Sequence, residues 1–214
     1  MYQLGINAAC AFVRTALDEL TTVEEIGFLV DADAVNLQRI VENCIVEAVV
    51  RTHQNAIPLL IDGEKGEKGV DFDAELQDDG STKITMLQDT LRVASVKATG
   101  SPVVCTFVAE DSPQGRMQEN KFTRGVYDDP RVVLVKSWSD DYRPVLRFYT
   151  AQQGAEFAVE YIPYPVITDS MVGISPRLEY AVLNEITAMV LDSVNEHQKA
   201  SIYRAKSLAI MEGK

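Results

Sequence analysis

The hydrophobic periodicity of this chain changes twice along its length, and that change constrains the fold more than any other feature. Residues 1–57 repeat apolar side chains at the i, i+3, i+4, i+7 spacing of one helix face, and residues 170–214 do so again. Between them, residues 58–169 hold short runs rich in Val, Thr, Tyr and Phe, separated by turn residues. The pattern predicts an α+β chain: a helical bundle from the N- and C-terminal sections with an inserted small antiparallel β-sandwich or barrel.

The terminal sections divide into individual helices. The first section predicts one helix over residues 6–20 and a second with its apolar face over residues 37–52. In the last section, Ser175-Pro176 is a cap followed by proline at the first helical position, and Asn195 with Gln198 resembles a capping box. We therefore expect two helices in the last section, one after Ser175-Pro176 and a second starting near Asn195.

The middle section predicts short strands and two long loops. Six runs have strand composition: residues 84–87, 91–98, 103–109, 132–138, 145–150 and 157–162. The polar stretches 62–83 and 111–129 interrupt them and are expected to be long loops. Because loops of that length in a compact domain tend to be functional or disordered, we expect both to be poorly ordered in the free subunit and to become ordered at interfaces.

Charge and composition exclude several classes of protein. The 214 residues include 20 Lys and Arg against 32 Asp and Glu, which gives a net charge of −12. A dedicated reader of duplex DNA needs basic patches, so it is not expected here. No apolar run approaches the roughly 18 residues of a membrane-spanning helix, and the N-terminus has no signal-peptide pattern. We expect an acidic, soluble protein made inside the cell, and no membrane partner.

The sequence offers no catalytic or metal-binding pattern, so we expect a protein that is not an enzyme and holds no cofactor. The two histidines, His53 and His197, lie near predicted helix ends and are expected to be exposed or capping. Residues 71–76 begin like a calcium loop, but Leu76 replaces the glycine that the sharp turn needs. The remaining acid pairs lie in predicted turns. Cys10 and Cys44 lie on apolar helix faces and are expected to be buried.

The most informative stretch is residues 117–125, MQENKFTRG, with the tyrosine that follows it. Phe122 and Tyr127 are larger apolar groups than a solvated loop requires, and aromatic side chains beside arginine are typical of interface anchors. We therefore assign Phe122, Thr123, Arg124 and Tyr127 to a subunit or partner interface. Packing of the aromatics on the protein's own sheet is the alternative. Arg124 is expected to form an ion pair between subunits or to cap a backbone carbonyl.

Four segments together resemble the head-to-tail adaptor, or connector ring, proteins of tailed bacteriophages, most closely the first ring proteins of crAss-like phages. Residues 37–61 are similar to the family's early helix and the proline-ended segment after it. Residues 86–98 resemble the family's "D-f-L-R-l-v-s-v-k" strand, and residues 118–133 its "Q-x-N-x-[YF]-T-R-G" loop followed by "P-x-V". Residues 176–212 resemble its paired C-terminal helices.

The resemblance implies a structural virion protein, made in the host cytoplasm and located in the tail connector. Such adaptors form a ring beneath the portal, commonly of twelve subunits, which extends the DNA channel and meets the next ring or tail component. DNA passes through the lumen without sequence-specific binding. Because the C-terminal helices of the family commonly contact the portal, the resemblance adds these residues to the expected interface: Ile202, Tyr203, Arg204, Lys206, Leu208 and Met211.

The acidic charge suits a channel wall, because a like-charged surface repels the phosphate backbone and lets DNA slide. Two other classes stay open at the level of sequence. One is an intracellular protein-binding module unrelated to virions, which the identity of its partner would distinguish. The other is a metal-assisted hydrolase that uses loop aspartates, which would require strong binding of a divalent metal.

Overall fold

A computed structural model of the chain describes residues 2–20, 34–101, 103–125, 131–135, 143–149 and 155–213. Within those ranges it combines helices with sheets whose strands pair antiparallel except for one pair, which confirms the predicted α+β class. In chain order the elements are β1 (Tyr2–Gly5), α1 (Ile6–Leu20), α2 (Ala34–Asn55), β2 (Glu64–Lys65), β3 (Phe72–Leu76), β4 (Thr82–Met86), β5 (Thr90–Ala98), β6 (Thr106–Ala109), α3 (Pro113–Glu119), β7 (Arg131–Val135), β8 (Val145–Phe148), β9 (Phe157–Pro163), β10 (Met171–Ile174), α4 (Glu179–Ser193) and α5 (His197–Met211).

The chain forms two compact units. The discontinuous unit comprises Met1–Asp62 and Pro165–Lys214, and the inserted unit comprises Gly63–Tyr164. The sequence placed these boundaries after residues 57 and 169. Hydrogen bonds tie the segment after α2 to the helical unit: the N–H of Ile57 donates to the Met211 carbonyl oxygen at 3.1 Å.

In the discontinuous unit α4 packs against α1, α2 and α5. Its buried residues form a main cluster with α1 and α2 and a smaller one with α5, which contains Ala188, Leu191, Ala200 and Tyr203. Ten residues of α4 are buried, because its apolar side chains lie all around the helix rather than on a single face. The other helices each contribute one apolar face. The largest core cluster consists of Leu4, Ile6, Ala9, Cys10, Val13, Val41, Ile45, Ala48, Val49, Val172, Ile174, Val182, Leu183, Ile186 and Val190.

Two short strands of the discontinuous unit, one from each of its segments, form a ribbon that the sequence did not predict. β1 pairs antiparallel with β10, and Leu4 lies opposite Val172 with both side chains in the core. Before β10, the chain turns through Asp169 and Ser170, whose φ angles are 50° and 60°. Strands of four residues with one or two buried side chains leave too short a period-two pattern to recognise.

His53 is buried, which corrects the expectation that it is exposed or capping. Its Nδ1–H donates to the Val49 carbonyl oxygen at 2.9 Å, and its Nε2 accepts the backbone N–H of Ser175 at 3.1 Å. Both bonds exist together only in the neutral ring with its proton on Nδ1. His53 therefore fixes the end of α2 to the segment that leads into α4. His197, in contrast, is exposed.

Ser175-Pro176 and Asn195, which were expected to start the two C-terminal helices, have other roles in the structure. Pro176 begins a 3-10 turn, Pro176–Leu178, ahead of α4. The Ser175 hydroxyl accepts the N–H of Asp62 at 3.2 Å and so ties the chain together rather than capping a helix. Asn195 has a φ of 63°, in the left-handed region that asparagine tolerates, and ends the turn between α4 and α5 instead of opening a capping box.

The inserted unit contains two sheets. One has the strand order β2-β9-β5, and the other has the order β3-β4-β8-β7-β6. The pair β6–β7 is parallel, so the second sheet is mixed rather than antiparallel as predicted. A parallel pair needs a long crossover connection, and the segment from residue 110 to residue 130, which contains α3, supplies it. The core of the unit consists of Phe72, Ile84, Met86, Val93, Val96, Ala98, Cys105, Leu146, Phe148, Val159 and Tyr161.

The two stretches expected to be long loops contain regular structure, which corrects that expectation. Residues 62–83 include β2, β3 and the start of β4, and residues 111–125 include α3. Residues 126–129 lie outside the described part of the chain. β3 escaped recognition because its sequence, FDAEL, buries only Phe72 fully and carries acidic side chains at the edge of the sheet.

The cysteines lie in apolar surroundings. Cys10 and Cys105 are buried, and Cys44 is half-buried. Burial raises the pKa of Cys44 to about 11 and that of Cys105 to about 12. These thiols are therefore protonated near neutral pH and behave as small apolar side chains, in agreement with the interpretation of Cys10 and Cys44 from the sequence.

The buried hydroxyl of Tyr161 is expected to make the inserted unit less stable at alkaline pH. Its hydroxyl donates to Asp71 Oδ1 at 3.0 Å, and burial, followed by the Asp71 carboxylate, raises the pKa of Tyr161 to about 12. Because the unfolded chain releases this proton near the ordinary pKa of 10, the stabilisation is complete below pH 10 and is lost as the pH rises towards 12. We expect the free energy of unfolding to fall by about 2 kcal/mol over that interval.

Urea unfolding at a series of pH values measures this loss, with Tyr161→Phe as the comparison. The variant lacks the titrating hydroxyl, so the difference between the two proteins isolates Tyr161 from the other tyrosines and the lysines. Parallel pH dependence of the two proteins between pH 10 and pH 12 would contradict the assignment.

Candidate functional site

The aromatic side chain of Phe122 is exposed to solvent. It is 97% exposed, the highest exposure among the large hydrophobic side chains in the described part of the chain. It lies in the turn that follows α3, which we call the Phe122 turn (residues 120–125). The alternative that Phe122 packs on its own sheet therefore does not hold. Tyr127, the other aromatic of the predicted interface, lies outside the described residues.

Side-chain hydrogen bonds fix the backbone of the Phe122 turn. Asn120 Oδ1 accepts the N–H of Phe122 at 3.0 Å, and Thr123 Oγ1 donates to the Met117 carbonyl oxygen at 2.7 Å. The N–H of Gly125 donates to Oε1 of the buried Gln118 at 2.7 Å. Thr123, which was predicted as an interface residue, is exposed, and its hydroxyl stabilises the turn through the bond to Met117. These bonds hold the backbone on either side of Phe122 in one conformation within the single chain.

The helix that carries the turn lies directly against β6. The Ser112 hydroxyl caps α3 by accepting the N–H of Gly115 at 2.9 Å and donates to the Ala109 carbonyl oxygen at 2.6 Å. A Cβ atom placed on Gly115 would lie 2.1 Å from that same carbonyl oxygen. Only glycine fits at this contact, so the close approach of α3 to the sheet depends on Gly115.

Arg124 attaches the turn to the end of β8. Its Nη1 donates to the Tyr149 carbonyl oxygen at 3.3 Å, and its guanidinium carbon lies 5.4 Å from the centre of the Tyr149 ring. Its Nε is buried and finds no hydrogen-bond partner among the described residues. Two roles were expected for Arg124: an ion pair between subunits or the capping of a backbone carbonyl. Within the chain, Arg124 caps the Tyr149 carbonyl oxygen.

The turn between β3 and β4 lies at the same end of the sheet as the Phe122 turn. Thr82, directly after that turn, pairs with Phe148, and Arg124 bonds to the carbonyl of the next residue, Tyr149. Hydrogen bonds from Ser81 lower the pKa of Asp79, and Arg147 and Arg124 add to that effect. Two turns with exposed side chains therefore share one end of the inserted unit.

The predicted interface residues of α5 divide between its two faces. Ile202 is 51% exposed and Leu208 is 50% exposed, and Arg204 and Lys206 are exposed as well. Tyr203 and Met211 are buried, so they are not available to a partner and that part of the prediction is wrong. Ala200, Tyr203, Ser207 and Met211 recur every three or four residues and form the inner face of the helix.

The outer side of α5 carries basic side chains, two of which pair with acidic residues that precede the helix: Lys199 with Glu196 at 3.5 Å, and Arg204 with Asp192. The helix carries His197, Lys199, Arg204 and Lys206 and has no acidic residue of its own. Arg204 bonds to Asp192, and Lys206 lies 4.5 Å from the centre of the Tyr203 ring. A hydrogen bond from His197, with Arg204 in addition, lowers the pKa of Asp192.

Two of the acidic residues considered as metal ligands, Asp71 and Asp79, stabilise turns, whereas Asp128, Asp129, Asp140 and Asp141 lie outside the described residues. Asp71 accepts the Tyr161 hydroxyl and the N–H of Glu67, and Asp79 accepts the N–H and hydroxyl of Ser81. The described residues contain no group of three or more His, Cys, Asp or Glu side chains placed to hold a metal ion.

Neither sequence comparison identifies a relative. No protein-family model matches the chain, and no curated protein is similar to it in sequence. Among the residues that the structure describes, no helix is both long and apolar enough to cross a membrane. The Phe122 turn and the outer side of α5 are therefore the features from which a function can be inferred.

Proposed function

We propose that the chain is a structural virion protein: a head-to-tail connector whose copies form a ring beneath the portal of a tailed bacteriophage. The ring extends the DNA channel and joins the capsid to the next ring or tail component, with twelve subunits as the expected number. The protein has no catalytic role. We further propose that the discontinuous unit is a helical bundle and the inserted unit a small sandwich.

The observation that carries the proposal is the exposed Phe122 on a fixed turn. Leaving a phenylalanine in water forfeits about 2 kcal/mol of burial free energy, which a partner can recover. Three side chains, those of Asn120, Gln118 and Thr123, hold the backbone on either side of it. A turn that is ordered in advance loses little conformational entropy on binding, as suits a subunit that joins an identical neighbour on each side of a ring.

The net charge supports a channel role. Twelve copies at −12 each would carry about −144 formal charges. Such a ring repels the phosphate backbone over a Debye length of about 8 Å at physiological salt. DNA would pass through without the tight, salt-dependent binding of a basic lumen.

Quantitative proteomics of purified particles tests the proposal directly. We expect about twelve copies of the chain per particle, with cross-links between copies and to a portal-like protein. Absence of the chain from particles, together with cross-links only to soluble host or regulatory proteins, would overturn the virion role. That result would favour the protein-binding module instead.

Replacing Phe122 with alanine is expected to weaken self-association without affecting folding. Truncation of an aromatic anchor at an interface costs about 2 kcal/mol or more, so the association constant should fall about 30-fold. The midpoint of urea unfolding should not change, because the side chain is 97% exposed. Sedimentation velocity over a concentration series measures the association.

Leu59→Ala is the matched control, since Leu59 is 75% exposed and belongs to the other unit. We expect it to associate like the unaltered chain. Equal association of the Phe122 variant and the unaltered protein would remove Phe122 from the interface.

A further inference from the structure

We draw no further inference here: the strongest candidate, the outer side of α5 with the half-exposed Ile202 and Leu208, carries none, because nothing among the described residues shows what covers this helix face.

Discussion

Replacing Gly115 with alanine is expected to destabilise the inserted unit by about 3 kcal/mol and to displace the Phe122 turn. The added Cβ would lie 2.1 Å from the Ala109 carbonyl oxygen and 2.8 Å from that of Glu110. Both atoms belong to the backbone, so no side-chain rotation relieves the clash and α3 has to move away from β6. The bond from Gln118 to Gly125 would then be lost, because Gln118 belongs to that helix.

Urea unfolding and hydrogen exchange of residues 113–125 measure the two effects. Gly5→Ala is the matched control, because a Cβ on Gly5 meets no atom within 4 Å. We expect the control to unfold within about 0.5 kcal/mol of the unaltered protein. Unchanged exchange of α3 in the Gly115 variant would show that the helix does not depend on the close contact.

Replacing His53 with leucine is expected to cost about 2–3 kcal/mol in the discontinuous unit. Leucine fills much of the same space, but it leaves the N–H of Ser175 buried without the Nε2 acceptor, and an unsatisfied buried donor costs about 1–3 kcal/mol. The Val49 carbonyl oxygen also loses its bond from Nδ1. The free energy of urea unfolding, followed through a signal from the helices, measures the loss.

The same substitution at the other histidine is the control. His197 is exposed, and its hydrogen bond to Asp192 is a surface contact of the kind that contributes at most about 1 kcal/mol. His197→Leu should therefore destabilise the protein much less than His53→Leu. Similar losses for both variants would show that the buried hydrogen bonds of His53 contribute little.

Local patterns predicted most of the helices and the longer strands. The predicted helix over residues 6–20 coincides with α1, because its apolar residues recur at helical spacing and that face packs into the core. The run 157–162 matches β9 for the same reason, since its alternation is long enough to detect. These are elements whose burial repeats along one stretch of chain.

Elements that depend on distant partners were missed. β1 exists only because β10 pairs with it, and nothing in either four-residue strand indicates the other. α3 did carry a local signal: Ser112-Pro113 is the same cap-and-proline pattern that was recognised at Ser175-Pro176. Its seven residues are too few for a helical period, so composition alone indicated a loop.

The sequence indicated the candidate interface through its residue types, but it did not indicate the geometry of the turn. The residue types around Phe122 and Arg124 indicated an interface, whereas the exposure of Phe122 depends on how Gln118 and Asn120 hold the turn. On α5, the resemblance implied both Ile202 and Tyr203 as interface residues. They are adjacent, and only the rotation of the helix decides that Tyr203 faces the core and Ile202 does not. That rotation is set by packing against α4, which the sequence of α5 does not encode.

The order of the units along the chain has a consequence during synthesis on the ribosome. Residues 1–62 emerge first, but β10, α4 and α5, which complete their core, emerge only after the whole inserted unit. At about 5–20 residues per second, the wait lasts roughly 10 s. Throughout it the apolar faces of α1 and α2 lack α4, their central partner. The inserted unit has all its strands once β9 is made, before α4 emerges. The inserted unit should therefore fold first, while the apolar faces of α1 and α2 stay exposed until α4 is made.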